Sequence, residues 1–173
     1  MTRFIHRLGR TGLVALLVAG LALAAGASLT LAKGKVKKHK AKATVRLVAL
    51  DQSATYPSPG STVLSTGTIK ANLGNGAVVQ NATITGHPTA TTYTITTTAT
   101  DFFARGTVKA SASGTVTAHA DGSLSVSGSG RYKGGTGKLK KAKGKFTFTG
   151  SSPKPVANKP TVLTANIKGT ISY

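Results

Sequence analysis

The chain has 173 residues, of which 23 are Lys or Arg and only 3 are acidic, for a formal charge of +20, with no Cys and no Trp. The absence of Cys excludes a disulfide framework, a lipidated cysteine, a thiolate zinc site and a cysteine nucleophile. With no Glu, and with Asp51, Asp101 and Asp121 far apart in sequence, enzymes built on clustered carboxylates have no material to work with. The length fits one domain of ordinary size. A domain of ~150 residues buries roughly 68–70% of its unfolded surface, so no covalent staple is needed.

Residues 1–32 read as a secretory signal peptide. Arg3, His6, Arg7 and Arg10 precede an apolar run from Thr11 to Ala32, and small residues set up cleavage after Ala27 or Ala32. The run is also long enough to cross a bilayer core of ~30 Å, so an uncleaved anchor is the competing reading. The abundance of Ala and Gly and the small-residue end favour cleavage, and the absence of a twin-arginine pair favours the general export route.

Residues 33–42 carry six lysines in ten positions: Lys33, Lys35, Lys37, Lys38, Lys40 and Lys42. So little apolar material predicts a disordered, self-repelling tether. Its expected partners are anionic lipid headgroups or an acidic envelope polymer, with a plain spacer as the bland alternative. Nucleic acid ranks last, because the segment has no aromatic side chain for base stacking.

From Ala43 to Tyr173, period-two alternation recurs between Gly, Pro, Asn and Asp boundaries, and no sustained helical spacing appears. Residues 43–173 are therefore expected to form one all-β domain. A first strand turns Val45, Leu47 and Ala49 to one face. After Pro57-Ser58-Pro59-Gly60, a second runs near Thr62 to Leu73 and turns at Gly74-Asn75-Gly76 into a third, near Ala77 to Gly86, which His87-Pro88 ends. The fourth, Ala90 to Thr100, puts Tyr93 and Ile95 opposite Thr92, Thr94, Thr96, Thr98 and Thr100, and Asp101-Phe102-Phe103 interrupts the alternation. The fifth turns Val108, Ala110, Ala112, Val116 and Ala118 inward, with Gly114 as a candidate bend.

The hairpin at Asp121-Gly122 can be solved from its core pattern. A two-residue loop would set Val116 opposite Ser127. A three-residue loop, Ala120-Asp121-Gly122 with Gly122 left-handed, sets Ala118 opposite Leu124 and Val116 opposite Val126, and is preferred because register follows the buried face. The seventh strand, Gly144 to Gly150, turns Phe146 and Phe148 inward. The last turns Leu163, Ala165, Ile167, Ile171 and Tyr173 inward. About eight strands with short connections predict an antiparallel meander closing on itself as an eight-stranded barrel, with a two-sheet sandwich as the alternative.

The segment from Gly128 to Phe146 contains Gly134-Gly135-Thr136-Gly137, then Leu139, then Ala142-Lys143-Gly144. This pattern resembles the signature of the allene oxide cyclase and dirigent barrel superfamily. Clustered glycines allow tight backbone approach, so the chain can cross the barrel end while Leu139 plugs it. A phosphate loop is excluded by the missing Gly-Lys-Ser/Thr and following helix. The resemblance implies a barrel with an apolar cavity and, in plant members, control over cyclisation or coupling of small hydrophobic molecules by polar groups in that cavity. Here the three Asp read as strand ends or turns, so no catalytic residue is carried over.

No cofactor motif and no Gly-x-Ser-x-Gly elbow is present, and His39, His87 and His119 do not converge, so no metal site is expected. Asp101 with Arg105 reads first as an ion pair at a strand boundary, with a cavity acid oriented by a cation as the functional alternative, and Asn81-Ala82-Thr83 reads as a chance glycosylation pattern. The more informative cluster is Lys133, Lys138, Lys140, Lys141, Lys143 and Lys145, a candidate polyanion-binding surface around the Gly-rich crossover, with solvated solubilising lysines as the bland reading. Together these point to a secreted or envelope-associated, monomeric, non-catalytic barrel. It would bind an acidic envelope component and a small hydrophobic guest. An isomerase or cyclase acting on small apolar substrates is the alternative.

Overall fold

The computed structural model describes residues 37–52, 57–154 and 160–173. The segment read as a signal peptide, and Lys33 and Lys35 of the tether, lie outside the described residues. The strands are β1 (Lys38–Gln52), β2 (Thr62–Ala71), β3 (Gly74–Thr89), β4 (Thr92–Phe103), β5 (Gly106–Ala118), β6 (Leu124–Gly135), β7 (Lys143–Ser152) and β8 (Val162–Ser172), with one short 3-10 turn at Gly137–Leu139. Each pairs antiparallel with the next, and β8 pairs back onto β1 to close an eight-stranded barrel.

Alternation sorts the side chains. Val45, Leu47, Ile69 and Val78 form one buried cluster, with Leu163 and Ile167 packed against it. Val108, Leu139, Ala142 and Ile171 form a second at one end of the barrel. Leu139 is wholly buried there, so the Gly-rich crossover does plug the end as its sequence predicts. The plug is tied down by the Lys138 amide, which donates to the Arg105 carbonyl at 2.9 Å, and by the Gly134 amide, which donates to the Ala142 carbonyl at 2.7 Å. At Gly137 the φ is +56°, and a Cβ would stand 2.6 Å from the Arg105 oxygen, so the crossover cannot pass the β4–β5 turn with any larger residue.

The β5–β6 hairpin has the register deduced from its buried face: Ala118 lies opposite Leu124 and Val116 opposite Val126. Gly122 has φ +83°, and the Asp121 carboxylate accepts hydrogen bonds from the Ser123 amide and hydroxyl at 2.9 and 2.7 Å. Gly114 introduces no bulge: its pairing runs on without a register shift on either side. A Cβ there would stand 2.9 Å from the Phe148 ring, one at Gly128 2.6 Å from it, and one at Gly130 would strike the Phe146 ring. These glycines leave the space that the two aromatic rings of β7 fill. The irregularity in β5 falls instead between Val108 and Ala110.

Five expectations are corrected. The first strand begins at Lys38, not Ala43, so Lys38, Lys40 and Lys42 are strand residues and not a disordered tether. Residues 38–48 pair with β8, and alternating Lys and Ala lets this stretch put charge outside and small side chains inside. Ala49 is exposed because a register shift follows it. The β2–β3 turn is Asn72-Leu73, since Ala71 pairs with Gly74, which takes φ +117°. His87-Pro88 does not end β3, which continues to Thr89 through two register shifts. Finally, Asp101-Phe102-Phe103 keeps the alternation of β4, with Asp101 inward and buried, Phe102 outward and 46% exposed, and Phe103 in the core.

The glycine floor under the rings gives a stability test. Gly128→Ala puts a methyl 2.7 Å from the Gly114 Cα, a backbone atom that cannot swing away. The substitution is expected to cost about 1–3 kcal/mol by overpacking, read as a lower urea midpoint at unchanged slope. Thr149→Ala on the exposed side of neighbouring β7 stays within about 0.5 kcal/mol.

Candidate functional site

Barrel closure brings together cations that are far apart in sequence. On the outer face, Lys133 of β6 lies opposite Lys143 of β7, which lies opposite Ser172 of β8, which lies opposite Lys38 of β1. The adjacent row is Arg131, Lys145, Thr170 and Lys40, and the next contains Ser129, Thr147, Lys168 and Lys42. All eight of these Lys and Arg side chains are exposed. Lys138, Lys140 and Lys141 are exposed on the crossover at the same end. Lys38, Lys40 and Lys42 of the first basic cluster and Lys133, Lys143 and Lys145 of the second therefore share one wall, β6–β7–β8–β1, extended by Arg131 and Lys168, which the sequence did not single out. Lys37 is exposed just before β1.

Like charges stand directly opposite each other at Lys133–Lys143, Arg131–Lys145 and Lys42–Lys168. Such pairs are unfavourable on a sheet. No Asp occupies these paired rows: Asp101 is inside the barrel, Asp121 is in the β5–β6 hairpin, and Asp51 pairs with Leu64 at the other end of β1. The wall is thus an unscreened positive field that an external polyanion can neutralise.

The second candidate lies inside. Asp101 is 8% exposed and sits between Val78 and Val108, its partners on the adjacent strands, which are 2% and 1% exposed. Burial among these valines pushes its carboxyl up to about 7. It does not form the boundary ion pair with Arg105 that the sequence suggests, because Asp101 points inward while Arg105 is exposed in the β4–β5 turn. Tyr132 enters the same space from β6. Burial and the charge of Asp101 push its phenol up to about 12, and its ring packs on Phe146 with centroids 4.8 Å apart.

Asp101 and Tyr132 lie where two cavities meet. One, of about 210 Å³, opens at the crossover end beside His39, Lys40, Lys42, Asn72 and Tyr173. The other, of about 80 Å³, lies in the mid-barrel among Val45, Ile95, Val126, Phe148 and Leu163. The alternation of Tyr93, Ile95 and Ala99 assigns Asp101 to the inner face once the strand is allowed to continue, so the signal was present, though the Phe102-Phe103 pair obscured it.

The three described histidines do not converge. His39 stacks on Tyr173 at 5.1 Å, His87 on Tyr93 at 4.4 Å, and His119 bonds the Ser125 hydroxyl at 3.0 Å. Among the described residues no three His, Cys, Asp or Glu side chains are grouped to hold a metal, and no helix is long and apolar enough to cross a membrane.

No family model matches the chain, and no curated protein matches it either.

Because the folded carboxyl of Asp101 sits at about 7 and the free one at 3.8, the native state holds a proton that the unfolded chain has released between those values. The contribution of Asp101 to stability therefore falls as pH rises from about 4 to 7 and stays low above that. Asp101→Asn, which keeps the shape without the charge, is expected to remove this fall and to stabilise the protein above pH 7 by up to about 4 kcal/mol. Urea unfolding of both forms at pH 5 and pH 8 measures the difference.

Proposed function

We propose that this protein is an exported, non-catalytic β-barrel that binds an anionic component of the cell envelope through the β6–β7–β8–β1 wall. The observation that carries the reading is the convergence of Lys38, Lys40 and Lys42 with Lys133, Lys143, Lys145, Arg131 and Lys168 on four adjacent strands. A lysine-rich segment selected only for solubility has no need to be folded against a second one. The apolar, Arg-flanked start of the chain supports export, and the unrelieved like-charge pairs support a polyanionic partner.

A second reading rests on Asp101 and Tyr132. A carboxyl poised near neutral pH beside a phenol, in a cavity lined by both apolar and polar side chains, suits general acid–base work on a small substrate. The likeness of residues 128–146 to the allene oxide cyclase and dirigent superfamily supports the same direction, an isomerase or cyclase. A cavity of this size fits a monocyclic molecule, since a 150 Å³ apolar cavity holds benzene.

For the binding reading, affinity for inorganic polyphosphate is expected to fall steeply as salt rises from about 0.05 to 0.5 M, as screening shortens the reach of surface charge. Lys38→Gln/Lys40→Gln/Lys42→Gln weakens it severalfold without unfolding the barrel. Deleting residues 33–42 is less informative, because it removes part of the β1–β8 seam. Binding that ignores ionic strength defeats the reading. For the second reading, the α-protons of cyclohexanone are expected to exchange into D2O faster with the protein than in buffer, and Asp101→Asn abolishes the excess. Exchange at the buffer rate defeats it.

A further inference from the structure

The basic wall continues sideways into a furrow of about 990 Å³ across the outer faces of β4 to β8. One crest is a row of directly paired residues, Thr96, Ser113, Ser129, Thr147 and Lys168. The other is the row Thr98, Ser111, Arg131 and Lys145. The crests are about 7 Å apart, two residues along each strand, and five strands spaced at ~4.8 Å give a length of about 19 Å. Between them the floor is the backbone of the inward-facing row, bare at Gly130 and Gly169. A furrow this narrow and this long matches one extended chain, not a plane.

Its chemistry is divided along its length. The β4–β5 end carries only hydroxyls, Thr96, Thr98, Ser111 and Ser113, and among the described residues none of these makes a side-chain hydrogen bond within the protein. The β6–β8 end carries Arg131, Lys145 and Lys168, with Lys133 beside them, and the rows run on to Lys40 and Lys42 of β1.

Three partner classes fit this less well. A bilayer would meet the cationic crests and leave the hydroxyl end unused, and among the described residues the exposed large hydrophobics, Leu50, Leu64, Val79 and Phe102, lie outside the furrow. A single-stranded nucleic acid needs exposed aromatic rings for its bases. The one aromatic residue here, Phe146, is turned inward and 7% exposed. A bare polyanion without hydroxyl groups would satisfy only half of the furrow.

We propose that the furrow seats a single linear anionic glycan, its carboxylates on Arg131, Lys145 and Lys168 and its hydroxyls on the Ser and Thr side chains of β4 to β6. This assignment rests on the polyanion-binding reading and specifies its partner. Free hydroxyls facing the glycan exchange water for sugar at modest gain each, whereas the cations supply charge-assisted bonds. The like-charge pair Arg131–Lys145 is relieved when a carboxylate lies between its members.

Binding of the full chain to polygalacturonate, to inorganic polyphosphate and to phosphatidylglycerol vesicles tests this. Ser111→Ala/Ser113→Ala/Ser129→Ala is expected to weaken polygalacturonate binding about tenfold and polyphosphate binding less than twofold. Arg131→Gln/Lys145→Gln/Lys168→Gln weakens both. The Ser variant should keep the unliganded thermal midpoint, since every changed side chain is on the outer face, and the cation variant should keep or raise it, since it also removes the like-charge pairs Arg131–Lys145 and Lys42–Lys168. Equal loss of both polymers in the Ser variant, no loss of either, or tighter retention on vesicles than on polygalacturonate at matched charge overturns the glycan assignment. If the cation variant binds polyphosphate as well as the unaltered chain does, the polyanion reading itself fails. If it loses polyphosphate while the Ser variant changes nothing, only the glycan assignment fails.

Discussion

The pairing of β1 with β8 is the contact on which the rest of the structure depends. An open eight-stranded meander would leave two rows of unpaired backbone groups, a template for aggregation as well as a loss of hydrogen bonds. Here eleven consecutive residue pairs, from Lys38–Ser172 to Val48–Val162, join the two ends. Closure brings Val45 and Leu47 against Leu163 and Ile167 to complete the core. It also makes Ile171 and Ala41 part of the apolar plug around Leu139. The same pairing folds a lysine-rich segment that has almost no apolar material of its own, because the edge of β8 supplies backbone partners and the barrel interior takes Ala41 and Ala43.

Closure therefore has opposite effects on the two faces of one strand. Inside, β1 contributes packing. Outside, it sets Lys42 against Lys168, a pair that costs electrostatic energy in the free protein, and puts Lys38 and Lys40 in the same rows as the cations of β7 and β6, with Ser172 and Thr170 of β8 between. Conflicts between local preference and global fold concentrate at functional sites. The interior holds a comparable conflict in Asp101, flanked by the two valines Val78 and Val108. A residue there chosen for stability alone would be apolar. The charge outside and the acid inside are the places where this barrel departs from what packing alone would select, and both lie toward the crossover end.

How much of this was legible depended on whether the cue was local. The β5–β6 register could be deduced because only the three-residue loop matches Val116 to Val126, and Gly122 has the φ that loop needs. Leu139 could be placed as a plug because the glycines around it permit the tight crossover. The β2–β3 turn is not legible locally, because three turn-forming residues at 74–76 point to a turn two residues downstream. Pairing places it at Asn72-Leu73, where Leu73 packs against the plug. The inward placement of Asp101 is obscured in sequence for a related reason: two consecutive phenylalanines look like the end of alternation, yet Phe102 is exposed on the outer face.

Alternation and turn chemistry along the chain were enough to specify an all-β domain, its strand count, most of its inward residues and the excess of positive charge, because those properties depend on neighbours two to four positions away. Which cations stand together, whether residues 38–42 are ordered, and that a lone carboxyl faces a phenol in a cavity depend on strands separated by up to the whole length of the domain. Those facts appear only when backbone hydrogen bonds close the sheet. A lysine carries no local signal of the lysine more than a hundred residues away that it will lie against.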